Sequence, residues 1–219
     1  NANGIELGNS FDVVNGNVVL NAGNEDLSIA NAVTVGGGNL DIIAADFDLN
    51  VQDGSITGSD IVTISDSGNG MELGGTPGSK LNIGINELNL ITAGELVLQA
   101  DNGLALLDQS YVISDATTPL TINASQMDVT VAAAVFGVNG NLDLADTPVV
   151  AGGGFTVNVG GNFAMNNTIN TSGEFNLNAA QGITMNEPTS IASNNNTINM
   201  TASGGDILLG LVDAGTGNA

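Results

Sequence analysis

A pair of apolar residues separated by one other residue recurs along this chain at intervals of 22 residues. The first series is Ile5/Leu7, Leu27/Ile29, Leu49/Val51 and Met71/Leu73; the second is Val18/Leu20, Leu40/Ile42 and Val62/Ile64; the third is Phe11/Val13 and Val33/Val35. Apolar residues at every second position predict a strand, so three pairs in each interval predict three short strands per repeat. The interval is too long for a helix turn or a hairpin, which indicates that each strand pairs with its own copy one repeat later.

The pattern continues beyond a break that follows the first four repeats. The later pairs are Leu88/Leu90, Leu96/Leu98, Leu104/Leu106, Leu120/Ile122, Leu142/Leu144, Phe155/Val157, Phe163/Met165, Phe175/Leu177, Ile183/Met185, Ile198/Met200 and Ile207/Leu209. Glycine and proline dominate residues 74–80, which we interpret as a loop inserted at a corner. The irregular stretch 107–119 is predicted to be a second corner insertion. We expect the length of a coil to vary through its turns and not through its strands.

These repeats predict an all-β fold, a right-handed parallel β-helix (β-solenoid), the hand following from the rule for parallel crossovers. We expect a single solenoid segment over residues 1–219, with about ten coils of roughly 20–24 residues and three short strands per coil. The rod would be about 50 Å long at ~4.8 Å per coil. A β-sandwich or barrel is the competing fold, but its hairpins would not repeat residue classes at intervals of 22.

Charge excludes several classes of partner. The chain has 23 acidic residues and one basic residue, Lys80, for a net charge of −22. Such a surface repels phosphate backbones and anionic lipid headgroups, so we expect no binding of nucleic acid and no membrane insertion. The absence of Cys and His excludes disulfides, thiolate zinc sites and a histidine-dependent serine nucleophile. No signal peptide is visible and the chain begins at Asn1, so we expect a fragment of a longer repetitive protein.

The turns repeat as well as the strands. The pattern G-N-apolar-x-apolar occurs at 16–20, 38–42, 140–144 and 161–165. Strands end in the motifs L-N-A-G (20–23) and I-T-A-G (91–94). With the near absence of Arg, Lys, His and Cys, these motifs resemble the repeats of filamentous-haemagglutinin-like exoproteins of two-partner secretion or autotransporter type. The resemblance covers essentially the whole chain. It implies a secreted, extracellular or cell-surface protein with a structural or adhesive role.

Catalysis is not expected. Polysaccharide-active enzymes also use the parallel β-helix, and the lyases among them resemble one another in using Arg or Lys as a base. This chain has no Arg, and Lys80 lies in the predicted loop. Hydrolases need a pair of carboxylates; Asp41, Asp46 and Asp48 are close in sequence, but Asp41 and Asp48 flank different strands. A polysaccharide-active enzyme is therefore a remote alternative.

Calcium is the one cofactor that the sequence suggests. Asp26 and Asp48 are 22 residues apart, so we expect them to lie about 5 Å apart on successive coils, with Asp46 nearby. A hard cation with oxygen ligands would relieve their repulsion. The alternative is that both carboxylates face water and are screened by salt. The stretch GGGNLDII (36–43) is an imperfect copy of a calcium-binding nonapeptide, without tandem repeats.

Two functions follow from this pattern. The first is a structural shaft segment of a long extracellular bacterial adhesin or surface fibre, which associates end to end because open solenoid ends expose unpaired strand edges. The second is an adhesin module that binds host or cell-surface glycans, with Tyr111 as the candidate contact. Asn17 and Asn39 are 22 residues apart, and we expect them to stack as an amide ladder.

Overall fold

The computed structural model describes residues 4–50, 52–75, 80–114 and 118–215. The chain forms a β-solenoid of about 9 turns. In the described part of the chain every strand pairing is parallel, and, apart from one insertion, each strand pairs with the strand one coil away. The predicted all-β solenoid of about ten coils is therefore confirmed.

Each coil contributes one strand to each of three faces. The first face contains β1 (Ile5–Leu7), β4 (Asp26–Ile29), β7 (Asp46–Leu49), β10 (Met71–Leu73), β14 (Leu104–Leu106), β17 (Met127–Val129), β20 (Val149–Ala151), β23 (Thr168–Thr171), β26 (Ser190–Ser193) and β29 (Leu211–Asp213). The second face contains β2 (Phe11–Val13), β5 (Ala32–Val35), β8 (Ser55–Thr57), β12 (Ile91–Thr92), β15 (Ser110–Ile113), β18 (Ala134–Val138), β21 (Phe155–Val159), β24 (Phe175–Ala179) and β27 (Ile198–Ala202). The third face contains β3 (Val18–Asn21), β6 (Leu40–Ala44), β9 (Ile61–Asp66), β13 (Glu95–Ala100), β16 (Leu120–Ala124), β19 (Leu142–Asp143), β22 (Phe163–Met165), β25 (Ile183–Met185) and β28 (Ile207–Leu208).

The core is a stack of apolar side chains that point inward from all three faces. In β6, for example, Leu40, Ile42 and Ala44 are buried, whereas Asp41 and Ile43 between them are partly exposed. Burying a Leu or Ile side chain contributes about 1.5–3 kcal/mol. Since each copy stacks on the next, the free energy gained from burial grows with the number of coils.

The predicted register holds for most of the repeats. Val18 pairs with Leu40 and Leu40 with Val62, as the interval of 22 requires. In the first series, however, Leu27 pairs with Phe47, and Ile29 pairs with Leu49. The expected pairing of Leu27 with Leu49 is therefore wrong, because the corner between β6 and β7 is shorter than the corner between β3 and β4. Val51 lies outside the described residues.

Within the described residues, only the third face is continuous, with nine hydrogen-bonded strands from β3 to β28. The first face is divided into β1-β4-β7 and an eight-stranded sheet that begins with β11 (Leu81–Ile83), and the second into β2-β5-β8-β12 and β15-β18-β21-β24-β27. The insertion that divides these two faces follows β10. Its strand β11 pairs with β10 on the side that faces β7, and a one-turn helix, α1 (Ile85–Leu88), then leads to β12.

The two predicted insertions differ from what the structure contains. The first extends beyond residues 74–80, because Leu88 ends α1 instead of beginning a strand; its side chain is buried nonetheless. Residues 76–79 lie outside the described part. The second prediction was too wide, since β15 within 107–119 is a regular strand that pairs with β18; residues 115–117 are not described.

Asparagine side chains connect consecutive coils at the surface. Asn17 Oδ1 accepts a hydrogen bond from the main-chain N–H of Asn39, at 3.1 Å. The stacking of these two residues is confirmed, but the bond joins a side chain to the main chain and not two amides. Side-chain amide ladders occur elsewhere: Asn178 Nδ2 donates to Asn158 Oδ1 at 3.0 Å.

Candidate functional site

The interruption of the first face brings several polar side chains together at the surface of the solenoid. β7 and β11 lie side by side, yet these two strands do not form a main-chain ladder. A carboxylate bridges them instead. Asp46 Oδ1 accepts hydrogen bonds from the N–H of Phe47 on β7, at 3.0 Å, and from the N–H of Asn82 on β11, at 3.3 Å.

A second carboxylate bridges the same two segments further along. Glu87 Oε1 accepts from the N–H of Leu49 at 2.8 Å, and Oε2 accepts from the N–H of Gly84 at 2.6 Å. Gly84 is the N-cap of α1, so Glu87 caps its own helix and fastens that helix to β7. Only this half of a capping box exists, because a glycine N-cap has no side-chain acceptor.

The two bridges lie along an open groove of about 650 Å³. Its polar lining comes from Ser28, Asp46, Asp48, Asn50, Asn82, Asn86 and Glu87. No basic residue compensates these three carboxylates. The single Lys of the chain, Lys80, pairs with Glu72 at 3.8 Å instead.

Burial changes the acidity of both bridging groups. Desolvation, followed by the charges of Asp48 and Asp46, raises the pKa of Glu87 from 4.5 to about 7, although hydrogen bonds from Leu49 and Gly84 oppose the shift. Burial likewise raises the pKa of Asp46, with smaller contributions from Asp26 and Asp48, against hydrogen bonds that stabilise its charged form. The groove therefore holds a carboxyl group that titrates near neutral pH.

The predicted calcium residues are arranged differently from the expectation. Asp46, and not Asp48, lies beside Asp26 on the neighbouring coil; Asp48 pairs with Ser28. The predicted stacking of Asp26 on Asp48 is wrong because the intervening corner is short. Asp46 Oδ1 serves as an acceptor for two main-chain N–H groups. Within the described ranges, no three acidic side chains are placed to share a metal ion.

Tyr111 is a core residue and cannot contact a glycan at the surface. Its side chain is 0% exposed, its hydroxyl donates to the carbonyl oxygen of Ile83 at 3.0 Å, and its ring stacks on Phe136 with centroids 6.1 Å apart. Burial raises the pKa of this phenol well above its usual value. The interpretation of Tyr111 as a glycan contact is therefore wrong. Its alternation with Ile113, which is also buried, was the sequence signal for an inward position.

Glu87 was missed at the level of the sequence. The signal available was Gly84 followed three residues later by Glu87 in G-I-N-E-L, a spacing typical of a capped helix start. Because the apolar pair Leu88/Leu90 continues the strand pattern, this helix start was not recognised.

A second surface feature is a shallow trough of about 410 Å³ on the second face. Its polar lining is one side chain or two from each of several coils: Ser114, Asn139, Asn158, Asn178 and Ser203. The trough follows the axis of the rod, because its lining residues stack across β15, β18, β21, β24 and β27.

In comparisons with known proteins, no family model, no curated protein and no solved structure matches the chain. Among the described residues, no helix has the length and apolar character needed to cross a membrane.

Proposed function

We propose that this chain is a non-catalytic shaft segment of a long extracellular bacterial adhesin or surface fibre, of the filamentous-haemagglutinin-like kind. The observation that supports the proposal is the unbroken third face, in which nine strands follow one another along the rod. A stack of equivalent coils has no built-in limit to its length, so its natural use is to set distance and stiffness.

The last described coil supports association along the same axis. Ile207 and Leu209 are 42% and 45% exposed, whereas Ile183 and Met185, at the same positions one coil earlier, are buried. The first coil also has partly exposed apolar residues, among them Phe11 and Val13. A second copy stacked head to tail would bury both sets and pair the strand edges; this contact is heterologous and builds a linear assembly.

Sedimentation velocity over a wide concentration range tests this proposal. We expect the wild-type chain to form linear oligomers as its concentration rises. Ile207→Asp should suppress them, since Ile207 continues the column of the buried Ile183 and the substitution places a charge on the open end of the core. Val150→Asp is the matched control, because Val150 is also exposed (41%) but lies on the side of the rod.

A monomer at every concentration, or equal effects of the two variants, would contradict end-to-end stacking. Electron micrographs of the same samples give a second readout, since stacking at the ends predicts rods of one width and variable length.

The trough on the second face favours a second candidate, a module that binds a host or cell-surface glycan. Asn158 and Asn178 present amides at successive coils along its floor, and amides are suitable partners for sugar hydroxyls. Glycan-array binding by the wild type, lost in Asn178→Ala and retained in the Tyr111→Phe variant, would support this role.

A further inference from the structure

The facing edges of β7 and the β11 segment depend on side chains for their hydrogen bonds. Four main-chain N–H groups are involved, those of Phe47, Leu49, Asn82 and Gly84, and two carboxylates accept all of them. At the other coil boundaries of the first face, main-chain carbonyl groups of a neighbouring strand fulfil this role. The junction therefore lacks the ladder that holds consecutive coils together elsewhere.

We propose that this junction is a pH-responsive hinge in the rod, which opens as Glu87 becomes ionised and closes as Glu87 takes up a proton. The proposal concerns the folded chain itself and does not rest on the proposed function.

The geometry supplies the first reason. Separating an ordinary pair of coils breaks a parallel ladder on every face. Among the described residues, the first face is joined here only by the two carboxylate bridges, and the second face only by the two residue pairs of β8 with β12. The bridges border an open groove of about 650 Å³, so they can separate locally while the other two faces stay paired.

The charges around Glu87 supply the second reason. Asp46 and Asp48 face it from β7, and Asp26 lies beside Asp46 on β4. The groups that approach from β11 and β15, Asn82 and Tyr111, are neutral. Lys80, the single basic residue, pairs with Glu72. An ionised Glu87 is thus a partly buried anion among other anions.

The direction of the pH effect follows from proton linkage. The pKa of Glu87 is about 7 in the closed groove against 4.5 in water. The closed form therefore binds the proton more tightly than a form in which Glu87 is solvated. This advantage of the closed form is complete below the solvated pKa and is lost as pH rises through the folded pKa. Opening should increase across the window from about pH 4.5 to about pH 7.

Amide hydrogen exchange at Leu49 and Gly84 measures the opening directly. After correction for the base-catalysed intrinsic rate, we expect their protection factors to fall on the order of ten-fold or more between about pH 5 and about pH 8. Amides in the ladder of β21 and β24 should keep constant protection. Equal, pH-independent protection at both places would overturn the proposal.

Three variants identify the titrating group. Glu87→Gln is neutral at every pH, so Leu49 should lose the pH dependence of its protection. Asp48→Asn removes one of the repelling charges, so the midpoint of the transition should move to lower pH. Glu6→Gln, at an exposed position on the same face, should change neither.

A pH dependence that survives in Glu87→Gln would overturn the assignment. If that variant does not fold, an unmoved midpoint in Asp48→Asn overturns it equally well, because Asp48 contacts the groove without bridging the two strands.

Discussion

At the scale of single residues, the corners between strands bring main chains of successive coils very close together. Gly160 follows β21, and a Cβ placed there would lie 2.2 Å from the carbonyl oxygen of Asn139 on the preceding coil. Gly152, at another corner, would meet nothing within 4 Å. Glycine is therefore required at the first corner by close approach of the backbone, and is merely permitted at the second.

Substitution of these two glycines should give different results. We expect Gly160→Ala to lower the free energy of unfolding by about 1–3 kcal/mol, because the adjoining coil must shift to admit the methyl group. Gly152→Ala should have no destabilising effect, since alanine restricts only the unfolded chain. Urea midpoints measured by circular dichroism compare the two. An equal loss in both variants would contradict the role of close packing at Gly160.

Residue patterns in the sequence were sufficient to predict most inward positions. Val18, Leu40 and Val62 stack as expected, because a strand that must bury one face leaves little freedom in its register. Asp26 and Asp48 do not stack, because the corner between them is short and corner length does not alter the alternation of apolar residues. Tyr111 followed the same alternation as its neighbours, which indicated an inward position, although it was the candidate aromatic contact for a glycan.

At the scale of elements, the insertion of β11 and α1 is the feature that the repeat could not predict. Leu88 and Leu90 satisfy the strand pattern, but Leu88 is buried from a helix. A four-residue helix has little intrinsic stability, so its existence depends on tertiary contacts, including the bond from Glu87 to Leu49 across 38 positions of sequence. Such a contact leaves no periodic signal.

Tyr111 connects this insertion to the coil that follows it. Its hydroxyl, on β15, donates to the carbonyl of Ile83 at the end of β11. That carbonyl also accepts a hydrogen bond from the Gly74 N–H at 3.0 Å, so Tyr111→Phe should remove one of its two bonds and lower the free energy of unfolding by about 0.5–1.5 kcal/mol. The stacked ring would be retained, so the core should not collapse.

Chemical denaturation gives the size of this effect, and amide exchange gives its location. We expect faster exchange in β11 and β15, with no change in β24. Unchanged stability in Tyr111→Phe would mean that the bond from Gly74 alone satisfies the Ile83 carbonyl, and would contradict a stabilising role for the hydroxyl.

At the scale of the whole molecule, the net charge of −22 acts against the compact rod. Like charges distributed over a long stack repel one another, and salt screens them. We expect the melting temperature to rise by several degrees as NaCl increases from roughly 0.01 M to roughly 0.5 M. Millimolar CaCl₂ should add at most a small increase at matched ionic strength, since the predicted pairing of Asp26 with Asp48 is absent.

Differential scanning calorimetry with and without EDTA separates screening from binding. A large rise that only calcium produces, and that EDTA reverses, would identify a specific cation site and contradict this expectation.

The direction of the main-chain hydrogen bonds has a mechanical consequence. In a solenoid these bonds lie parallel to the long axis, so a pull on the two ends loads the coils in series, and the weakest boundary yields before the others. Across the groove beside β7 the first face has no main-chain ladder, so the two-residue ladder of β8 with β12 and the third-face ladder between β9 and β13 carry the force. Under tension we expect the coils to separate first at this boundary, which divides the solenoid into a short N-terminal part and a longer C-terminal part.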